Sequence, residues 1–222
     1  MNIQKNKYNL RKIVLGSILI SLSLVLSQIN NLFIKNISFI KMPLSQVPFW
    51  AFWYLPIIII CVFFSLNYSL FFVSIYIIIF SYFYSLPNYI KVISLFEDKK
   101  MNIETIFYFI FIMELFGTFF PLFSYLLLSL FKFSFFQKKF KKILFCFILI
   151  ILIQSISRTR VGWIWINFYG SKLQTNSNII KFLFVFIFNI IPVFISNLIN
   201  FILLFFIKSR IVEIYNFNYL EK

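Results

Sequence analysis

Residues 105–131 read TIFYFIFIMELFGTFFPLFSYLLLSLF. One charge, Glu114, sits in the middle of an otherwise apolar and aromatic run. A helix of about 20 apolar residues crosses the ~30 Å hydrocarbon core of a bilayer. The stretch therefore predicts a transmembrane helix, and the composition around it predicts several more. Of 222 residues, 62% are hydrophobic and only 12% charged. A water-soluble domain does not need so much apolar surface.

Five further runs have the same character, at about 13–34, 49–65, 69–88, 143–157 and 179–207. The fifth span in chain order, 143–157, admits a continuation toward Phe168. In lipid these runs must be helices, because every backbone polar group needs an internal partner. The expected fold is all-α: a polytopic membrane protein of six transmembrane helices in a single bundle, one domain over residues 1–222. Pro56, Pro121 and Pro192 fall inside spans and predict kinks or local unwinding. The N-terminal MNIQKNKYNLRK imitates a signal peptide, but the apolar run after it is too long for a signal and lacks a small-x-small cleavage site. It reads as a retained first span.

The basic residues set an expected orientation. Lys5, Lys7, Arg11 and Lys12 precede the first span, and Lys208, Arg210 and Lys222 follow the last. The loop KFSFFQKKFKK after the fourth span carries five lysines and no acid. Six spans put all three segments on one side, which the positive-inside rule makes cytoplasmic. The expected location is the cell membrane, with both termini inside and the loops 35–48, 89–104 and 158–178 outside. The formal charge of +15 then reflects topology and anionic headgroups, and no nucleic-acid partner is expected.

Phe occurs 35 times and Ala once, at Ala51. Phe, Ile, Asn and Lys have AT-rich codons, so mutational bias explains the phenylalanine excess and gives weight to the rare Trp, Gly, Pro and Arg positions. There is no His and one Asp, Asp98. That argues against His-based catalysis, a Ser-His pair and an Asp-rich metal motif. Cys61 and Cys146 fall in apolar runs and make no disulfide framework. No P-loop or GxGxxG motif is present, so no enzymatic activity and no resident cofactor or metal is expected.

Four features stand out as candidates. Glu114 is costly in hydrocarbon unless paired or hydrated, by roughly 2.5–3.5 kcal/mol for a charge at a helix centre. It is either a carboxylate lining a ligand cavity or one bonded across helices or near an aqueous end. Asn189, with Asn197 and Asn200 near the same helical stripe, is either polar glue between helices or part of that cavity. The segment SRTRVGWIWINFYGSK, 157–172, gathers Arg158, Arg160, Trp163 and Trp165 with Gly162 and Gly170. It is either an aromatic belt with snorkelling arginines or the wall of a pocket for a flat ring. Trp50 and Trp53 open the second span on the same expected outer side, where a plain belt would populate both faces. In the first span, Ser17-x-x-x-Ser21 and Ser23-x-x-x-Ser27 are small faces suited to close helix packing.

Together these stretches resemble the substrate-binding S components of energy-coupling factor (ECF) vitamin transporters, most closely the thiamine-specific type. LRKIVLGSILISLSLVLS is similar to the family's first helix, with Ser17 and Ser21 where an Ala-x-x-x-Ala face contacts the coupling subunit. SQVPFWAFWYLPIIIICVFFS is similar to its second helix, with Pro56 at the family's proline. FIMELFGTFFPLFSYLLLSLF resembles the fourth, Glu114 matching an acid and Leu115 replacing a Tyr. In SRTRVGWIWINFYG, Gly162 matches a motif glycine and Arg158 replaces a His; in FIFNIIPVFISNLINFILL, Phe188 and Asn189 stand for a Tyr-Asn pair.

The resemblance implies a vitamin pocket near the outer ends of helices four to six, closed by the first outer loop. Its expected ligand residues are Glu114, Asn189, Trp163, Arg158 and Trp165. Its expected partners are a small-molecule vitamin, a transmembrane coupling subunit and ATPase subunits, all at the lipid bilayer. Glu114 favours a cation such as thiamine, and the arginines favour a phosphate or carboxylate. Folate or riboflavin specificity, and a non-transport structural membrane subunit, are the alternatives.

Overall fold

A computed structural model describes residues 2–32, 51–85, 93, 102–131, 140–169 and 178–215. The first outer loop, the lysine-rich loop 132–139, Trp50, Gly170 and the C-terminal tail lie outside the described residues, as do the side chains of Trp165, Lys208 and Arg210. All regular structure among the described residues is helical. Helix α1 spans Asn2–Leu32. A tight 3₁₀ turn, Phe52–Tyr54, feeds α2, Leu55–Phe63. Then come α3, Leu66–Phe80, and α4, Ile103–Glu114. Short helices α5, Phe120–Phe123, and α6, Leu126–Leu130, complete the fourth span. The long helices α7, Phe140–Tyr169, and α8, Asn178–Tyr215, close the order.

Among the described residues, five helices are long and apolar enough to cross a membrane. The expected second span yields a shorter apolar helix, Phe52–Phe63, in which Ile57, Ile58, Ile60 and Cys61 are wholly buried. At 1.5 Å per residue it falls short of a bilayer's width and serves as the core around which the others pack. Cys61 and Cys146 are free and buried. The outside is apolar too: Ile13, Ile18, Phe107, Phe111, Ile156, Ile187 and Phe206 are all exposed. Such a surface suits a lipid surround.

The fifth span is longer than 143–157. Residues 158–169, assigned to an outer loop when the span is ended at 157, continue α7 as helix, in line with the continuation toward Phe168. No proline interrupts them, Gly162 stays inside the helix, and Arg, Val and Ile sustain the backbone pattern. The fourth span is instead less regular than expected. Five residues after Glu114, Leu115–Phe119, form a π-helical turn, and a second break at Ser124–Tyr125 separates α5 from α6. Pro121 sits in the first turn of α5, where its missing N–H costs little. Pro192 lies within α8.

Contacts fix the directions of the helices. Lys12 lies over the Tyr68 ring at 5.0 Å, and a side chain at Gly16 would meet the Phe72 ring. Both pairs keep the same offset, so α1 and α3 run parallel. Tyr54 packs on Tyr125, and the Ser129 hydroxyl donates to the Cys61 carbonyl at 2.7 Å, so the second and fourth spans run parallel too. Gln154 reaches Pro121 and Asn197, and Gly162 meets Val185, so α7 is antiparallel to the fourth span and to α8.

Gly16 is a point of close approach between α1 and α3. A Cβ built there comes within 2.2 Å of Phe72, whose ring is 1% exposed and has nowhere to go. Gly16→Val should lower the stability of the purified protein in detergent by about 1–3 kcal/mol. Thermal unfolding measures this, and Phe72→Leu in the same chain should restore part of the loss.

Candidate functional site

The half of the bundle that carries the sequence candidates is built from the end of α3, α4 with its π turn, the second half of α7 and the first half of α8. Glu114 is half-buried, and its Oε1 accepts a hydrogen bond from the Ser81 hydroxyl. Ser81 opens a π-helical turn, Ser81–Ser85, at the end of α3, and Glu114 directly precedes the π turn of the fourth span. Two π turns therefore meet at one carboxylate. Such turns hold an extra residue and re-aim the side chains around them. Both helices continue with φ and ψ in the helical range, so the carboxylate is aimed without strained backbone.

One turn on, Gly117 lies against the Val161 side chain of α7, at 3.7 Å from where a Cβ would stand. Val161 also packs on the small cluster of Ile106 and Met113 from α4. The next residue of α7, Gly162, faces α8: a Cβ there would stand 2.6 Å from Val185 Cγ1 and 3.0 Å from Asn189 Nδ2. The glycine thus lets α8 close in. Asn189 is half-buried and donates to the Val185 carbonyl of its own helix at 2.8 Å. Trp163 meets Phe182 of α8 edge-on at 5.9 Å.

The structure thus draws the Glu114, Trp163 and Asn189 helices together through Gly117, Val161 and Gly162. Each candidate side chain also has a protein contact of its own: Ser81 for Glu114, Val185 for Asn189 and Phe182 for Trp163. Arg158 is half-buried and is a charged neighbour of Tyr125. Arg160 is exposed. The Trp165 side chain is outside the described residues. Trp53 does not stand in a surface belt. It is 9% exposed, packed edge-on between Phe52 and Tyr54.

The two serine faces of α1 part company. Ser23 and Ser27 are buried, and the Ser23 hydroxyl donates to the Trp53 carbonyl. Ser17 and Ser21 are exposed beside Ile18 and Leu22, on the outside of the bundle.

Below the candidate site lies a polar seam that sequence reasoning found only in part. Gln154 Nε2 donates to the Pro121 carbonyl and to Ser124 Oγ, each at 3.0 Å. Its Oε1 accepts from Asn197 Nδ2 at 2.8 Å, and Asn197 Oδ1 accepts from the Tyr125 hydroxyl at 3.0 Å. Asn200 donates to the Ala51 carbonyl at 3.1 Å, and the Ala51 N–H donates to Ser196 at 2.9 Å. Asn197 and Asn200 are therefore polar glue. Gln154 and Tyr125 are the members of the seam that the sequence alone hides. Gln154 closes the apolar run 143–153 and is followed by Ser155, Ser157 and Arg158, so it reads as the end of a span, while Tyr125 is hidden among abundant aromatics.

No protein-family model, curated protein or solved structure matches the chain.

Gln154→Leu should leave Ser124 Oγ without its donor, the Pro121 carbonyl with the Ser124 hydroxyl alone and Asn197 with one partner fewer. The expected loss is about 1–2 kcal/mol, read as a lower melting temperature in detergent. Asn197→Leu in the same background should add less than its effect alone, because the two amides share a bond.

Proposed function

We propose that the protein is the membrane-embedded substrate-binding subunit of an ECF-type vitamin uptake transporter, taking thiamine or a related planar vitamin. The observation that carries the reading is the placement of Glu114. It is half-buried inside a span, aimed by two π turns, on a helix that Gly117 and Val161 bring against α7, where Gly162 in turn admits Asn189 of α8. A carboxylate kept there at a cost suits a cationic group, and a tryptophan edge-packed on Phe182 supplies an aromatic wall. π turns inside helices are frequent at functional positions.

Two further features support it. Ser17 and Ser21 form a small, outward face on α1, where a coupling subunit's helix can approach closely. With the short second helix counted as a passage, the helix directions suit an even number of passes and both termini on one side, which the basic N-terminal segment makes cytoplasmic. The chain has no nucleotide-binding motif, so a separate ATPase would drive transport. The structural-subunit reading draws on the polar seam, whose amides are spent on helix packing.

If the ligand is a flat cation, Glu114→Gln should weaken thiamine binding at least tenfold, about 1.4 kcal/mol. Titration of the purified protein, followed by tryptophan fluorescence, measures it. Equal affinity of wild type and variant assigns Glu114 a structural role only. Ser17→Leu with Ser21→Leu should abolish co-purification of the coupling subunit while the protein stays monodisperse. A cysteine placed in the 132–142 loop should resist an impermeant label in intact cells.

A further inference from the structure

Arg158 stands where three helices meet. On α7 it follows Gln154 by four residues and Ser155 by three, and precedes Val161 by three and Gly162 by four. Those spacings place the five residues along one side of a helix. Gln154 and Val161 face the fourth span, through Pro121, Ser124 and Gly117. Gly162 faces α8, through Val185 and Asn189. The direction of Arg158 lies between these two. Long helical side chains lean toward the helix N-terminus, here toward Gln154, and Arg158 is indeed a charged neighbour of Tyr125. Arg160 points elsewhere and is exposed. The two arginines therefore have separate roles. Arg160 is placed to reach headgroups, while Arg158 is kept in the bundle.

A guanidinium inside a bundle calls for an acceptor. Among the described residues, none is paired with Arg158. The carboxylate of Glu114 is turned to Ser81 on α3. A second polar group nearby is in the same position: the Ser155 hydroxyl is fully buried and, among the described residues, finds no hydrogen-bond partner. A donor fork and a hydroxyl on one side of α7 make a good match for a group with several acceptor oxygens.

We propose that Arg158, with Ser155, forms an anion subsite in the seam between α7, α8 and the fourth span, which takes a phosphate or carboxylate carried by a soluble ligand. The proposal rests on the substrate-binding reading and sharpens it. Glu114 engages the cationic end and Arg158 the anionic end, so the ligand is zwitterionic: a planar cation bearing a phosphate or carboxylate. Thiamine alone would leave half of the site unused.

The test uses the full chain in phosphatidylcholine nanodiscs. Inorganic phosphate should raise the melting temperature of wild type and of Arg160→Gln, have no effect on Arg158→Gln, and act partly on Arg158→Lys. Thiamine monophosphate should bind wild type at least tenfold more tightly than thiamine, a preference that Arg158→Gln removes. If Arg158→Gln does not fold, Ser155→Ala, which keeps the charge, should still weaken the phosphate effect severalfold. An unchanged phosphate response in these variants overturns the subsite. So does stabilisation by phosphatidylglycerol but not by phosphate, which would make the anion a lipid headgroup. Thiamine binding without any phosphate effect removes the subsite and keeps the vitamin reading. A phosphate effect through Arg158 with neither thiamine compound bound keeps the subsite and removes the vitamin.

Discussion

The first turn of the second span has to satisfy its backbone without water. Ala51 gives its N–H to Ser196 and its carbonyl to Asn200, and the Trp53 carbonyl accepts from Ser23. Three side chains from α1 and α8 thus hold a helix of only a dozen residues at the centre of the bundle. In hydrocarbon an unpaired backbone group costs several kcal/mol, so this short core helix cannot slide or rotate without leaving groups orphaned. The other helices take their positions from it. α1 is fixed by Ser23, α8 by Ser196 and Asn200, and the fourth span by Ser129 on the Cys61 carbonyl.

The polar seam extends that logic from backbone to side chains. Apolar packing against lipid gives little preference for one helix neighbour over another, because lipid tails are as apolar as leucine. The Tyr125–Asn197–Gln154 chain, with Ser124 and the Pro121 carbonyl, supplies the preference. It also uses the break in the fourth span. The Pro121 carbonyl serves both the Ser124 hydroxyl and Gln154, so the irregular turn is tied to α7 rather than left open.

The all-α membrane class was legible from one run, because apolar length is a strong and local signal. So were Glu114 and Asn189, each polar where the neighbours are not. What lay beyond reach was anything set by three dimensions. The α7 helix runs on through Tyr169, the longer of the two extents the sequence admits, and composition alone does not choose between that extent and a loop from residue 158. The serine pairs of α1 look alike in sequence, and only packing shows that Ser23 and Ser27 turn inward while Ser17 and Ser21 turn out. The π turns leave no mark in the sequence at all, since SYFYS and LFGTF differ in nothing obvious from ordinary helix.

The π turn after Glu114 also governs how the fourth span can change in length. It holds one residue more than an α-helical turn, so Glu114 is rotated by about 100° relative to Pro121 and Tyr125 from where an unbroken α-helix would set it. Loss of a single residue from 115–119 would restore a regular helix, at little expense to the backbone. The half of the span that faces Gln154 and Asn197 would keep its register, and the carboxylate would keep its direction toward Ser81, because the deletion removes only the residue that the π turn absorbs. The span therefore carries a built-in point of variation, where a one-codon deletion leaves both the bundle's framework and the direction of the Glu114 carboxylate in place.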